Sequence, residues 1–234
     1  MSHPLSLPSL ALDEWHAVAT QRARIYSWFS GLYAAELTQA HFDTLQTGSA
    51  ASLCDSLAAA GLTGEVARLR AAMTAWHNLP LARLELAADF AQMFLLSARD
   101  GAPPYASCYD DAAPQLYGQA ETRMRSFLEH SALAVDARFR EPADHLAVCL
   151  AMMHYQLIQP LTDTDNAVAA SAHQQAGSLE TYLLGWLPAF EQRSQSCATE
   201  LDFYPALATL LLAFVRQDHA FLRDIADDAA QERV

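Results

Sequence analysis

The sequence contains no lysine, and all 14 of its basic residues are arginines. A chain without lysine has no amine for a Schiff base, no phosphate-loop lysine and no serine–lysine dyad. Its 27 acidic residues give a formal net charge of -13. This balance disfavours nucleic acid, because phosphates require a basic face, and it favours a basic partner.

Cysteine pairs and long apolar runs are also missing. The four cysteines are widely separated, without the C-x-x-C pair that begins a zinc or redox motif. Isolated cysteines on apolar segments are typical of core residues in a reducing compartment. The longest apolar uncharged stretch, Phe203 to Val215, is shorter than the ~20 residues of a membrane span. The first residues lack the pattern of a signal peptide, so we expect a cytoplasmic protein without membrane insertion.

Motifs for nucleotide, hydrolase and metal chemistry are missing as well. The sequence has no G-x-G-x-x-G, G-x-x-x-x-G-K, G-x-S-x-G or H-x-x-x-H. His145 and His154 lie nine residues apart, and nine steps of about 100° place them on opposite sides of one helix. We therefore expect no metal site and no catalytic residues.

Apolar residues recur at helical spacing almost throughout, without sustained alternation of period two. With 52% hydrophobic residues and only 8 glycines, this pattern predicts an all-α fold. We expect one compact multi-helix domain over residues 13–218, with room for two lobes. A flexible tail over 1–12 precedes it, and a C-terminal tail or terminal helix over 219–234 follows. Helices are expected over 13–36 and 166–186, among others.

A helix that Pro80 opens is apolar over much of its circumference, which predicts a central position in the fold. Its remaining stripe holds Glu85, Asp89 and Gln92 at i, i+4 and i+7. A solvated face is the plainer interpretation of this stripe, and a binding surface is the alternative.

The stretch PPYASCY, residues 103–109, lies in the longest irregular segment away from the chain ends. Gly101, Pro103 and Pro104 stop the preceding helix from continuing, and Tyr105 and Tyr109 are too aromatic for a simple linker. Long ordered loops tend to carry function, so this loop is a candidate site.

The stretch EPADHLAVCL, residues 141–150, places a proline, two acids and a histidine at the start of an apolar helix. Pro142 suits the first helical turn, where Asp144 would face unpaired N–H groups. Helix capping does not account for Glu141 or His145, which makes this cluster a second candidate site.

Three segments, LARLELAADFAQMFLL, PPYASCY and EPADHLAVCL, resemble in order and separation the TorD/DmsD family of redox-enzyme maturation chaperones. The residues of these three segments are most similar to those of the TorD branch, which serves trimethylamine N-oxide reductase. The resemblance implies an all-helical cytoplasmic chaperone that is not an enzyme. Such a protein binds the twin-arginine leader and the immature form of a molybdenum-cofactor oxidoreductase, assists cofactor insertion and delays export.

By motif match, the resemblance assigns leader or partner binding to Glu141, Pro142, Asp144, His145, Pro104, Tyr105, Ser107 and Tyr109, and, on the other signature helix, to Glu85, Asp89 and Phe94. It implies no tightly bound cofactor, although weak binding of GTP and transient contact with molybdenum cofactor belong to the same expectation. It also implies a monomer or a domain-swapped homodimer.

The residue chemistry fits a leader of two guanidinium groups followed by an apolar stretch, which needs carboxylates beside an apolar, aromatic groove. A Glu141 and Asp144 pair would hold the arginines, while Tyr105 and Tyr109 would contact the apolar part. Two alternatives stay open: a GTP-binding or GTP-hydrolysing protein that uses the cluster from Glu141 to His145, and a structural adaptor that binds neither ligand.

Overall fold

In the computed structural model, the segments with apolar residues at helical spacing form packed helices. The structure describes residues 11–46, 48–76, 79–97, 99–110, 114–160 and 167–231. These residues contain no named strand and form one all-α domain, which confirms the predicted fold class. The helices are α1 (Leu12–Ala34), α2 (Gln39–Gln46), α3 (Gly48–Ala59), α4 (Thr63–Ala75), α5 (Ala82–Phe90), α6 (Gln119–His130), α7 (Leu146–Leu157), α8 (Ala167–Leu179), α9 (Leu187–Ser196) and α10 (Phe203–Gln231).

Helices α1 and α7 pack along each other and form one side of the core. The buried positions of α1, among them Trp15, Tyr26, Phe29 and Tyr33, recur every three or four residues, so the helix has one apolar face. Helix α7 is buried on nearly every side, because nine of its 12 residues are buried. The start of α7 is therefore enclosed by tertiary structure.

Helix α10 packs against α4, α8 and α9, and its apolar N-terminal half is almost fully buried. Further along, Arg22 of α1 donates to Asp218 from Nε at 2.5 Å and from Nη2 at 3.0 Å. The hydroxyl of Tyr26 donates to the same carboxylate at 2.6 Å. These buried groups compensate one another's desolvation and join α10 to α1. Within the described ranges, no helix has both the length and the apolarity needed to cross a membrane.

Five aromatic rings join α1, α5, α9 and α10 beneath the candidate site. Tyr33, Phe90, Phe94, Phe190 and Tyr204 form six contacting pairs with centroid distances of 5.0 to 6.2 Å. Such pairs stabilise a fold by about 0.5–1.5 kcal/mol each beyond their burial. The cluster therefore gives the surface above it a closely packed base.

The structure moves several predicted boundaries. The helix predicted over 166–186 ends in a π-helical turn, Glu180–Leu184, and a separate α9 follows with Pro188 in its first turn. The helical turns therefore end two residues before the predicted end at residue 186, and Pro188 suits the first turn of the new helix. Residues 219–231 continue α10. Of the predicted N-terminal tail, residues 1–10 lie outside the described residues.

Candidate functional site

The loop after α5 is held close to the end of that helix. Following the π-helical turn Ala91–Leu95, the amide of Ala102 donates to the carbonyl of Met93 at 2.6 Å. A Cβ on Gly101 would lie 2.6 Å from the same carbonyl oxygen, so only glycine fits this approach. The tight return leads the PPYASCY segment to the start of α7.

This loop pairs with the chain before α7 through an isolated antiparallel bridge between Tyr105 and His145. Beside the bridge, the amide of Leu146 donates to the carbonyl of Pro104 at 2.7 Å. Backbone hydrogen bonds therefore hold the PPYASCY segment and the EPADHLAVCL segment side by side.

Helix α7 begins at Leu146, and His145 is its N-cap residue. The prediction that Pro142 and Asp144 lie in the first helical turn was wrong. The backbone of His145 is extended, with φ -61° and ψ 139°, because it takes part in the bridge. Its Nδ1 instead accepts a hydrogen bond from the amide of Ala147 at 3.1 Å, so the ring itself caps the helix.

The ring of His145 is buried between two aromatic rings. Its centroid lies 5.1 Å from that of Tyr105 and 5.1 Å from that of Phe139. Burial lowers the pKa of His145 to about 4, so the imidazole is neutral at physiological pH. With Nδ1 acting as an acceptor, the proton lies on Nε2. His145 therefore contributes a packed, neutral ring to the site and caps helix α7, and it brings no positive charge.

Asp144 faces inward and is only 1% exposed. Its Oδ2 accepts hydrogen bonds from the amide of Ser107 at 2.8 Å and from the hydroxyl of Ser107 at 2.5 Å. Together with Arg123 and Trp186, it lines a cavity of about 160 Å³. Asp144 thus joins the loop to the chain before α7, and it does not lie on the surface beside Glu141, where the predicted carboxylate pair would have to be.

Glu141 is exposed, and the hydroxyl of Tyr105 donates to its Oε2 at 2.7 Å. Burial, together with this hydrogen bond, raises the pKa of Tyr105, so the hydroxyl remains a donor. Both residues belong to a concave region of about 330 Å³, which we name the acidic pocket. It is lined by Ala34, Ala35, Glu36, Phe90, Phe94, Leu95, Pro104, Tyr105, Glu141 and His145.

A second concave region of about 320 Å³, which we name the apolar groove, adjoins the acidic pocket. Ala34 lines both regions. The ring contacts from Tyr105 to His145 and from His145 to Phe139 lead from one region to the other. The groove is lined by Ser30, Ala34, Leu128, Leu133, Ala134, Val135, Asp136, Phe139, Ala147, Val148, Ala151, Met152 and Tyr155.

Two other loop residues from the predicted set lie away from the acidic pocket. The ring of Tyr109 stacks on Trp186 at a centroid distance of 5.6 Å, and the guanidinium of Arg193 lies 5.7 Å from its centroid. Tyr109 lines the cavity beside Asp144, and Ser107 is buried next to that carboxylate. The loop therefore contributes Pro104 and Tyr105 to the pocket and uses Ser107 and Tyr109 inside the fold.

The residues predicted from the LARLELAADFAQMFLL segment, residues 81–96, are divided in the same way. Phe94 lines the acidic pocket from below, whereas Glu85 lines neither the pocket nor the groove. Asp89 is buried and accepts hydrogen bonds from the amides of Glu200 at 2.8 Å and Leu201 at 2.9 Å. The interpretation of a solvated stripe was wrong for Asp89, because its carboxylate instead fixes the chain that leads into α10.

Glu36 and Phe139 are among the residues of this surface that sequence reasoning missed. Glu36 follows the end of α1, where the chain becomes extended at Ala35. Phe139 precedes the E-P-x-D-H motif and belongs to the row of rings beside His145. Neither lies in a recognisable motif, and the only signal for Glu36 is an acid placed directly after an amphipathic helix.

The site offers carboxylates, a fixed hydroxyl donor and apolar walls. Within the described ranges, no three His, Cys, Asp or Glu side chains gather in a way that would hold a metal ion. The charged groups of the acidic pocket at neutral pH are Glu36 and Glu141, since His145 is neutral. This arrangement is suited to holding a cation next to an apolar chain.

Comparisons with known proteins give a family match and several relatives. A family model described as nitrate reductase delta subunit matches residues 55–192. A relative named chaperone protein TorD from Psychrobacter sp. (strain PRwf-1) is 38% identical over 217 residues, covering 92% of this chain and 97% of the relative. Proteins of the same name from Photobacterium profundum and Vibrio cholerae serotype O1 are 36% and 35% identical, covering 90% and 92% of this chain and 98% and 97% of their own length.

The chain belongs to the TorD family of chaperones. The resemblance drawn from the three segments is thereby confirmed, and all three lie inside the range that the family model matches. In this TorD-family chaperone, the acidic pocket and the apolar groove form the candidate surface for a client protein.

Proposed function

We propose that this TorD-family chaperone acts in the cytoplasm on a molybdenum-cofactor oxidoreductase. It binds the twin-arginine leader and the immature form of that enzyme, assists insertion of the cofactor and delays export until maturation is complete. The resemblance to the TorD branch, together with relatives named chaperone protein TorD, supports trimethylamine N-oxide reductase as the client.

One observation carries the proposal: Glu141, held by the hydroxyl of Tyr105, lies in a pocket whose described lining contains no arginine. A guanidinium group pairs with a carboxylate through charge-assisted hydrogen bonds, often two at once. The hydroxyl already fixes the carboxylate, so less side-chain freedom is lost when the guanidinium binds. An apolar groove beside the pocket supports binding of the apolar stretch that follows the arginines in such a leader.

The overall charge supports the same partner. A net charge of -13 attracts a basic peptide from a distance and raises the rate of encounter. Salt screens this attraction, with a Debye length of about 10 Å at 0.1 M ionic strength. Leader binding should therefore weaken as salt rises, mainly through slower association.

The proposed mechanism requires no bond to be made or broken by the chaperone. Occupancy sets the timing of export, because a leader bound to the chaperone is hidden from the export machinery. When the free chaperone concentration is ~100 times the dissociation constant, about 99% of leaders are bound. Export then begins when the mature client and its leader leave the surface.

The test is a titration of a fluorescent twin-arginine leader peptide against the wild-type chain and Glu141→Gln. The substitution keeps the size of the side chain and removes its charge, so we expect affinity to fall about tenfold. Tyr105→Phe, which removes only the hydroxyl that fixes Glu141, should cause a smaller loss.

A peptide with both arginines replaced by glutamine is the control, and its binding should be weak and insensitive to Glu141→Gln. Equal affinity of the wild-type chain for both peptides would contradict the proposal. Comparing the leader of trimethylamine N-oxide reductase with that of another molybdoenzyme tests the choice of client.

The alternative of GTP hydrolysis by the cluster from Glu141 to His145 gains no support from the geometry. Residues 142–145 of this cluster are buried, and the acidic pocket beside it presents two carboxylates, which oppose the approach of phosphate. Multiple turnover of GTP that His145→Ala abolishes would favour the enzyme instead. Transient contact with molybdenum cofactor stays a prediction.

A further inference from the structure

The acidic pocket contains a second exposed carboxylate, Glu36. The last turn of α1 ends at Ala34, and Ala35 has extended backbone angles of -166° and 169°. Because successive side chains of extended chain point to opposite sides, burial of Leu37 agrees with an outward position for Glu36. Glu36 has no hydrogen bond or ion pair with another described residue, so its carboxylate is available to a ligand.

The surroundings of Glu36 also favour a cation. The C-terminal end of a helix carries partial negative charge, because its last carbonyl groups lack intrahelical partners. Helix α1 has no basic residue in its last turn to neutralise that charge. Its C-terminal end and the carboxylates of Glu36 and Glu141 therefore lie at one pocket, where each attracts a positive group.

The walls of the acidic pocket fit the uncharged part of an arginine side chain. Phe90, Phe94 and Leu95 line it together with the two carboxylates. Arginine buries its aliphatic stem along apolar surface and keeps its guanidinium beside polar groups. Aromatic rings in the pocket also attract a guanidinium through their π-systems.

The apolar groove begins where the acidic pocket ends. Ala34 borders both, and the rings of His145 and Phe139 are in contact at the junction. Leu128, Val135 and Met152 are among the groove's apolar walls. A groove of about 320 Å³ reaches the lower range of ligand-binding sites, which is roughly 300–1,000 Å³. A chain that leaves the pocket at Ala34 meets this groove next.

We propose that Glu36 and Glu141 together hold the two arginines of the leader in the acidic pocket, and that the apolar segment following them lies in the apolar groove. This inference rests on the proposed function and adds a second specificity-determining residue and a direction for the bound peptide. The peptide thus crosses the row formed by Tyr105, His145 and Phe139 from the charged region to the apolar one.

The first experiment measures leader affinity for Glu36→Gln. We expect about tenfold weaker binding than that of the wild-type chain, and a weaker dependence on salt. Glu129→Gln is the matched control, because Glu129 is exposed, carries the same charge and lines neither region. A specific role for Glu36 requires that this control bind the leader as the wild type does.

Peptide variants show whether Glu36 contacts an arginine. With one arginine of the peptide replaced by glutamine, Glu36→Gln should cause a much smaller loss for at least one of the two positions. An unchanged tenfold loss for both singly substituted peptides overturns the assignment, because the effect of Glu36 would then not depend on a guanidinium.

The second experiment blocks the apolar groove with Ala151→Glu. Ala151 is exposed on α7 and lines the groove, so the change adds a charge there without burying it. We expect about tenfold weaker binding of the full leader and unchanged binding of a short peptide that contains only the arginine region. Ala170→Glu, an exposed helical position on α8 outside the groove, controls for added charge.

These outcomes separate the inference from the proposed function. If the wild-type chain fails to bind the leader, both are wrong. If it binds the leader, but neither Glu36→Gln nor Ala151→Glu weakens binding, only the inference is wrong. If Ala151→Glu converts a dimer into a monomer in sedimentation while leader affinity stays the same, the groove is covered by a second copy of the chain, and the inference is overturned.

Discussion

Acid should destabilise this chaperone through His145, the buried N-cap of α7. The pKa of this imidazole is about 4 in the folded chain, because burial disfavours its charged form, against an ordinary value of 6.5. Between these two values, the unfolded chain binds a proton that the folded chain excludes. A lowered pKa of a basic group therefore means that stability is present above about pH 6.5 and is lost as pH falls towards 4.

The size of the effect follows from the two pKa values. Their difference corresponds to about 3 kcal/mol at most, and about 2 kcal/mol of it should be lost between pH 7 and pH 5. The hydrogen bond from the Ala147 amide to Nδ1 links this loss to structure, since a protonated Nδ1 is no longer an acceptor. Protonation should therefore loosen the first turn of α7.

Urea unfolding at pH 7 and pH 5 tests this reasoning with the variant His145→Asn. Asparagine is a good N-cap residue and does not titrate, so the variant separates capping from protonation. The smaller side chain should lower stability at both pH values. Its loss of unfolding free energy on going to pH 5 should be about 2 kcal/mol smaller than the loss of the wild-type chain.

His16→Asn is the control, because His16 is exposed on α1 and should leave the pH dependence as it is. Carboxylates elsewhere titrate alike in all three proteins and cancel in the comparison. Equal pH dependence in His145→Asn and the wild-type chain would refute the argument that His145 is held neutral by burial.

Three further substitutions test the scaffold beneath the site. Arg22→Met leaves Asp218 buried without its ionic partner, and we expect the free energy of unfolding in urea to fall by about 3–5 kcal/mol. Ser107→Ala removes a hydroxyl that donates to a buried carboxylate, which should cost about 1–3 kcal/mol in the same assay. Gly101→Ala places a Cβ 2.6 Å from the carbonyl oxygen of Met93, so both the melting temperature and leader affinity should fall.

Matched controls exist for two of these changes. Gly31 lies in α1 with nothing within 4 Å of the position that an added methyl group would take, so Gly31→Ala should stabilise the chain by up to about 1 kcal/mol. Arg216 is exposed on α10, and Arg216→Met should change stability by less than about 0.5 kcal/mol. Similar melting temperatures for Gly101→Ala and Gly31→Ala would contradict the close approach at Met93. If Arg216→Met lowered the free energy of unfolding as much as Arg22→Met, the proposed contribution of the buried pair of Arg22 and Asp218 to stability would be contradicted.

The sequence predicted the helical class well, because apolar spacing of three and four residues is a local property that packing then uses. The positions where helices begin and end depend on tertiary contacts, which the spacing of apolar residues does not reveal. Pro142 has the features of a helix start, but a bridge to a loop about 40 residues earlier delays the helix until Leu146. The helix predicted over 166–186 stops before Pro188, and in the structure a separate α9 begins at Leu187 with Pro188 in its first turn.

The candidate site was predicted in the parts that form recognisable motifs. Tyr105 and Glu141 came from such motifs, and the structure brings them into contact. Glu36 lies more than 100 residues before Glu141, and only the folded chain places both at one pocket. The sequence also did not reveal that Asp89 is buried. Its helical spacing suits a solvated face, but two backbone amides donate to its carboxylate inside the fold.

The residues of the E-P-x-D-H motif, residues 141–145, have two roles and lie in two places: one faces the pocket, and others support the loop and helix α7. Glu141 faces the pocket with Tyr105, whereas Asp144 lies beneath, bound to Ser107, and His145 caps α7. Loss of Asp144 should therefore weaken leader binding by releasing the loop that positions Tyr105, and stability should fall with it. Loss of the Glu141 charge should weaken binding at nearly unchanged stability, because that side chain is exposed. Measuring affinity and unfolding free energy for Asp144→Ala and Glu141→Gln distinguishes the scaffold from the contact. A stable Asp144→Ala variant with weak binding would instead indicate that the leader reaches the buried carboxylate.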